Sequence, residues 1–253
     1  MKIKLVSVTP NAWELLLGTK STRMRGQDVS LMSESEKLEH WKYMLNTIRS
    51  PFEFVDYIFE LEGVSKNFTH QLVRTRTGAY QQETSRALDM SGNGTVMPDN
   101  FEGDEELQRL FFDAVADAQC SYNKLIDAGA QLQDARSILP SNMETKIMAK
   151  FNLRTLSDMA TNRLCVRTQG EYQEAFRLMR ALILAEHPWA DSLLQPACVA
   201  RGQCAFPRYG KESCTFWRPW MDLEAQKEEL RIAFWSSDLV QNNPVAENGV
   251  SKG

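Results

Sequence analysis

Residues 104–128, DEELQRLFFDAVADAQCSYNKLIDA, constrain this chain more than any other stretch. Asp104 supplies an N-cap, and Leu107, Leu110, Phe111, Ala114, Val115, Ala118, Tyr122 and Leu125 recur at helical spacing as one apolar stripe. Gly129 follows at the position where a left-handed residue ends a helix. A helix with a single apolar face needs a surface to cover it, so the chain must fold in packed layers.

The other elements are of mixed kind. Residues 2–8, KIKLVSV, read as an opening strand, and FVDYIFELE (54–62) alternates Val55, Tyr57, Phe59 and Leu61 against Asp56, Glu60 and Glu62, the period of a half-buried strand. Val64, Phe68 and Leu72 then recur at helical spacing, which predicts a helix over 64–76 running towards Gly78. Residues 80–88 read as extended, and MSGNGTVMPDNFEGD as a loop. Beyond the long helix come a short helix stopped by Pro140, a strand in METKIMAKF, and helices near 153–164 and 171–186. From Pro188 the character changes, with cysteines and aromatics among Gly and Pro, and the last dozen residues read as disordered. The order indicates an α/β or α+β domain over 1–190 and a C-terminal extension over 191–253.

The stretch RTRTGAYQQETSR (74–86) holds three arginines in a chain of net charge −4. That balance opposes broad nucleic-acid or anionic-membrane binding, so any anion site is local. Gln71 and Arg74 lie one helical turn apart, while Arg76 and Arg86 flank a turn at Gly78. Guanidinium forks bind phosphate bidentately, and Gln81, Gln82, Thr84 and Ser85 add neutral donors and acceptors. The set suits a small phosphorylated ligand; a solvated basic turn paired with Glu and Asp fits the same residues. In NLRTLSDMATNR, Arg163 shares a face with Leu156 and Met159, which means either a buried partner or snorkelling from the helix end. Arg136, in DARSILP, has helix C-capping as its plain role.

SPFEF (50–54), HQLVRTRTGAYQQETSR (70–86), GAQLQDARSILP (129–140) and FNLRTLSDMATNRLCVRTQGEY (151–172) occur in the order and rough spacing of the flavin-dependent thymidylate synthases, the ThyX family, which the chain resembles over about residues 1–190. The family signature of Arg-His-Arg, seven residues, then Ser is here Arg74-Thr75-Arg76, seven residues, then Thr84. The resemblance implies an α+β fold, a twisted mostly antiparallel sheet flanked by helices, assembled as a homotetramer with shared active sites. It implies methylation of dUMP at carbon 5, with methylenetetrahydrofolate giving the carbon and FAD, recharged by NADPH, giving hydride. Carried over by position, Gln71, Arg74, Gln82, Thr84, Ser85, Arg86, Arg136 and Arg163 are the nucleotide contacts, and Arg163 is also the catalytic arginine that polarises the pyrimidine. Ser50, Arg74, Thr75, Arg76, Asn152, Arg154 and Asp158 are the flavin contacts, and Ser21 stands near the phosphate.

Thr75 replaces the signature histidine, Gln82 the usual glutamate, and Ile48, Phe54 and Arg167 stand where family members often have histidines. These departures leave open UMP or dCMP as substrate, or a non-catalytic nucleotide and flavin binder. Cys198, Cys204 and Cys214 have five and nine residues between them and lack a fourth ligand and a tight pair, so they read as free thiols and no metal is expected. Trp217, Trp220 and Phe234 read as cover for hydrophobic surface or a subunit contact. The apolar run at the start is too short for a secretion signal, no stretch reaches a membrane span, and the scattered cysteines indicate a reducing, cytoplasmic compartment.

Overall fold

The computed structural model describes residues 1–20, 28–202, 204, 206, 214, 216 and 231–236. Its centre is one antiparallel sheet, in the order β1 (Lys2–Val8), β2 (Asp56–Ser65), β4 (Glu144–Asn152), β3 (Ala79–Gln82). The fold is therefore α+β, as expected. Period-two alternation sets the two faces. Tyr57, Phe59 and Leu61 of β2 and Ile147, Ala149 and Phe151 of β4 are buried. On the opposite face Lys146 of β4 pairs with Glu60 and Glu62 of β2, and Lys150 lies 2.8 Å from Asp56.

Helices cover the apolar face. α6 (Leu153–Arg163) follows β4 directly, because the Asn152 side chain caps it by accepting from the Thr155 N–H at 2.8 Å. α7 (Gly170–Glu186) buries Tyr172, Phe176, Met179 and Ile183 in the same core. Two helices, α1 (Ala12–Lys20) and α2 (Glu34–Thr47), stand where sequence periodicity picks out none. Ser33 and Glu36 form a reciprocal capping box at the start of α2. Trp13 and Trp41 from these helices meet Trp189, with ring centroids 5.3–5.5 Å apart.

The expected helix over 64–76 is shorter. β2 runs on to Ser65, whose hydroxyl caps α3 (Lys66–Leu72) through the Phe68 N–H at 2.9 Å. Val64 thus belongs to the strand; its spacing to Phe68 and Leu72 is shared by a strand end and the helix that follows it. β3 covers only part of the extended run expected over 80–88, and the strand in SPFEF's wake begins at Asp56, since Ser50–Phe54 forms a 3-10 turn on Pro51.

The long helix, α4 (Glu105–Asp127), is where expected, with Asp104 accepting from the N–H groups of Glu106 and Leu107. Its stripe is not covered. Tyr122 alone in α4 is buried, beside Met90, Ala135 and Met143, whereas Leu107, Leu110 and Leu125 are 39%, 50% and 38% exposed. After α4 the chain makes α5 (Leu132–Ala135) and a 3-10 turn, then β4. Past α7, residues 188–192 fold back onto it and α8 (Ala197–Arg201) packs on α6. There Arg180 pairs with Asp191, donates to the Leu194 carbonyl at 2.9 Å and lies 4.0 Å over the Trp235 ring. Among the described residues no helix is long and apolar enough to cross a membrane. Ser21, Trp217, Trp220 and the last dozen residues lie outside the described residues.

Candidate functional site

A cavity of about 690 Å³ opens at the end of β4. Glu53, Thr75, Thr77, Asn152, Arg154, Thr155, Asp158, Met159, Asn162 and Arg163 line it. Three chain segments therefore meet there, namely the 3-10 turn at 50–54, the turn after α3, and α6. Gly78 makes the turn possible. A side chain there would come within 2.5 Å of the Tyr80 hydroxyl, which itself donates to the carbonyls of Leu72 and Thr75 at 3.0 and 2.6 Å.

Of the expected flavin contacts, Thr75, Asn152, Arg154 and Asp158 line this cavity, and Arg163, expected at the nucleotide, lines it too. Arg154 pairs with Glu53 at the rim, and Asp158 with Arg49 at 2.8 Å. Ser50, Arg74 and Arg76 are exposed nearby in sequence but are not among the cavity's walls. Arg163 neither snorkels nor pairs with a carboxylate among the described residues. Its guanidinium carbon stands 4.0 Å over the ring of Tyr172. Tyr172 is fully buried and held edge-on by Phe68 of α3, with centroids 5.0 Å apart. Its hydroxyl faces Thr75 and Arg163 without the alignment of a formed hydrogen bond; burial raises the phenol's pKa, and the Arg163 charge opposes that shift. The charge of Arg163 is thus oriented but not neutralised.

The other expected nucleotide contacts gather elsewhere. Ser85 is buried and accepts from Lys66 at 2.7 Å and Arg136 at 3.3 Å, while the Arg86 Nε donates to Gln133 at 3.2 Å. Arg136 also caps its own turn, donating to the Gln133 carbonyl at 3.2 Å, which is the helix-end role read from the sequence. Thr84 accepts from the Arg86 N–H. The amide of Gln82 donates inward, to the hydroxyls of Thr69 at 3.1 Å and Thr145 at 3.4 Å. Gln71 bonds Gln169 at the head of α7.

Within one chain Arg163 is the expected nucleotide contact that lines the cavity, while Ser85, Arg86 and Arg136 bond to one another's neighbours past the far end of β3, Ala79–Gln82. Glu53, Thr77, Thr155, Met159, Asn162, Tyr172 and Lys66 were missing from the sequence-based set. Tyr172 has a signal in the sequence, an aromatic nine residues after Arg163. Lys66 has none, being one lysine among many.

The cysteines of the tail meet a fourth, Cys165, around a small apolar cavity of about 20 Å³ that also touches Phe216 and Phe234. Burial pushes the Cys198 thiol up to about 12 and raises that of Cys165, so both are neutral thiols. Among the described residues no group of His, Cys, Asp and Glu is poised to hold a metal.

Together these features define an α+β protein with a large pocket walled by two arginines, two carboxylates, two amides, three threonine hydroxyls and Met159. The family described as thymidylate synthase complementing protein matches residues 4–189. A flavin-dependent thymidylate synthase of Clostridium tetani is 28% identical over 225 residues, covering 81% of this chain and 90% of the relative. One of Pyrococcus furiosus is 32% identical over 165 residues, covering 61% and 67%, and one of Saccharolobus solfataricus is 27% identical over 260 residues, covering 100% and 95%. The chain belongs to the thymidylate synthase complementing protein family.

Proposed function

We propose that this chain catalyses the FAD-dependent reductive methylation of dUMP at carbon 5, taking the carbon from methylenetetrahydrofolate and reducing equivalents from NADPH, to give dTMP. The relatives named above carry that activity in their names. The observation that carries the reading is the convergence of Thr75, Asn152, Arg154, Asp158 and Arg163 on one cavity.

The donor set fits the cofactor. Arg154, which pairs with Glu53 through one terminal nitrogen, keeps its other N–H groups for a pyrophosphate, the Thr75 and Thr77 hydroxyls and the Asn152 and Asn162 amides offer ring and ribose partners, and Met159 offers an apolar wall. When bound there, FAD supplies the hydride that reduces the transferred carbon. The chain's own part is positional and electrostatic. Arg163, held over Tyr172 and without a counter-ion among the described residues, stabilises negative charge as the pyrimidine becomes nucleophilic at carbon 5. Arg74, Gln71, Gln82, Thr84, Ser85, Arg86 and Arg136 hold the nucleotide, and Ser50 and Arg76 complete the flavin contacts.

The working form in this reading is a homotetramer whose active sites are shared. Two observations support it: Arg163 lines the cavity while Ser85, Arg86 and Arg136, its expected companions, are not among the cavity's walls, and Leu107, Leu110 and Leu125 of α4 stand exposed. Residues 1–190 form the catalytic domain and 191–253 its C-terminal extension. Five unpaired cysteines go with a reducing, cytoplasmic compartment.

The test is anaerobic incubation of the FAD-loaded protein with dUMP, NADPH and methylenetetrahydrofolate, with UMP and dCMP run in parallel. dTMP should form, and faster than either alternative product. If FAD binds and no nucleotide of the panel is methylated, the protein is a binder without turnover.

A further inference from the structure

Lys66 is the first residue of α3 and has no place among the site residues assigned so far. Its ammonium donates to the Ser85 hydroxyl at 2.7 Å, and Arg136 donates to the same oxygen at 3.3 Å. Two cations from segments 70 residues apart in sequence thus lean on one buried neutral hydroxyl. Neither forms an ion pair with a carboxylate among the described residues. Burial holds the Lys66 pKa below its ordinary value, the Arg136 charge adds to that, and Glu83, the nearby acid, only partly opposes it.

Two like charges thus converge with Glu83 only partly offsetting them and no ion pair among the described residues, and an anion placed beside Ser85 relieves that repulsion. The geometry also leaves the right donors free. Accepting from Lys66 and Arg136 occupies both lone pairs of Ser85, so its O–H is left to donate outward. Lys66 keeps two N–H groups, and Arg136 keeps the N–H groups of its second terminal nitrogen. Arg86 uses its Nε on Gln133 and keeps its terminal fork. Donors of this number around one point match the three terminal oxygens of a phosphate monoester.

We propose that Lys66 is a phosphate-binding residue of the nucleotide site, clamping the 5′-phosphate together with Ser85 and Arg136. The inference rests on the nucleotide reading above, and adds that the charge of Lys66 separates a nucleotide from its nucleoside.

Calorimetric titration of the FAD-loaded protein with dUMP and with deoxyuridine tests it, on the native chain, Lys66→Met and Lys66→Arg. Lys66→Met should weaken dUMP roughly 10- to 100-fold, the worth of a charged hydrogen bond, and leave deoxyuridine affinity unchanged. Lys66→Arg should stay close to the native affinity for both, and inorganic phosphate should compete with dUMP less well in Lys66→Met than in the native chain. Equal dUMP affinity in Lys66→Met and the native chain overturns the inference. Equal losses of dUMP and deoxyuridine do so as well, since they mark a merely structural role. Should Lys66→Met not fold, Lys66→Gln is read by the same criteria. A native chain that binds FAD but no dUMP overturns the nucleotide reading itself, an outcome distinct from the other two.

Discussion

Arg163 and His187 show how burial sets what a single charged or titratable group can do. A guanidinium resting on an aromatic face keeps its charge for a ligand, whereas one paired with a carboxylate spends it internally. Arg163→Met should therefore lower kcat by about 10²- to 10³-fold while FAD content stays native, as steady-state rates and flavin absorbance will report. Arg163→Lys should not restore the rate, because an ammonium cannot present the planar fork. His187 stacks on Trp189 and its Nδ1 lies 2.8 Å from the Tyr57 hydroxyl. Burial lowers its pKa, with the Glu186 charge opposing. The unfolded chain thus takes up a proton near pH 6.5 that the folded one refuses until lower pH. Stability from this group is complete above that value and is lost as pH falls through it. Thermal melts from about pH 7.5 to about pH 5.5 should show a drop in Tm that His187→Asn makes shallower. An identical slope in the two proteins would rule out His187 as a source of the acid sensitivity.

Among the elements, α4 is the least satisfied, with Leu107, Leu110 and Leu125 substantially exposed. Replacing Leu110 by Lys should leave the far-UV circular dichroism of the chain intact, since the side chain is half exposed here. It should dissociate the proposed homotetramer and abolish turnover, which light scattering and activity assays can check together. An L110K protein of unchanged mass and rate would show that this stripe faces solvent in the working form. Most of the secondary structure was legible in the sequence, because Asp104 and Asn152 announce helix starts and β2 and β4 alternate cleanly. The junction at Val64 and Ser65 was not, since an apolar spacing of four fits a strand end and a helix start alike. α1 and α2 escaped because the capping box at Ser33 precedes a segment whose buried positions are few, Trp41 and Met44. The stripe of α4 was read correctly as apolar, but periodicity cannot say whether its cover comes from the same chain.

For the molecule as a whole, the fold sets Arg163 on the cavity and leaves the other proposed nucleotide contacts, Ser85, Arg86 and Arg136, outside its walls. Motif order announced the arginines, and their separation along β3 became visible only with the sheet register, Ala79 opposite Lys150 and Gln82 opposite Ile147. Lys66 and Tyr172 were hidden for a related reason: each acts through a contact between distant segments that no local pattern encodes. The proposed sharing of sites between subunits makes a specific prediction. Arg163→Met and Arg136→Met, each inactive alone, should regain part of the native turnover when co-expressed, because mixed assemblies contain some sites with both arginines intact. Mixtures as inactive as their parents would place both residues in one chain's site. The central claim, that one pocket holds a flavin against a pyrimidine nucleotide, is tested most directly by the visible spectrum of the purified protein during a dUMP titration. A bound-flavin spectrum that shifts saturably with dUMP and not with deoxyuridine at equal concentration is the predicted result. A protein that takes up no flavin, or whose flavin bands ignore the nucleotide, would contradict it.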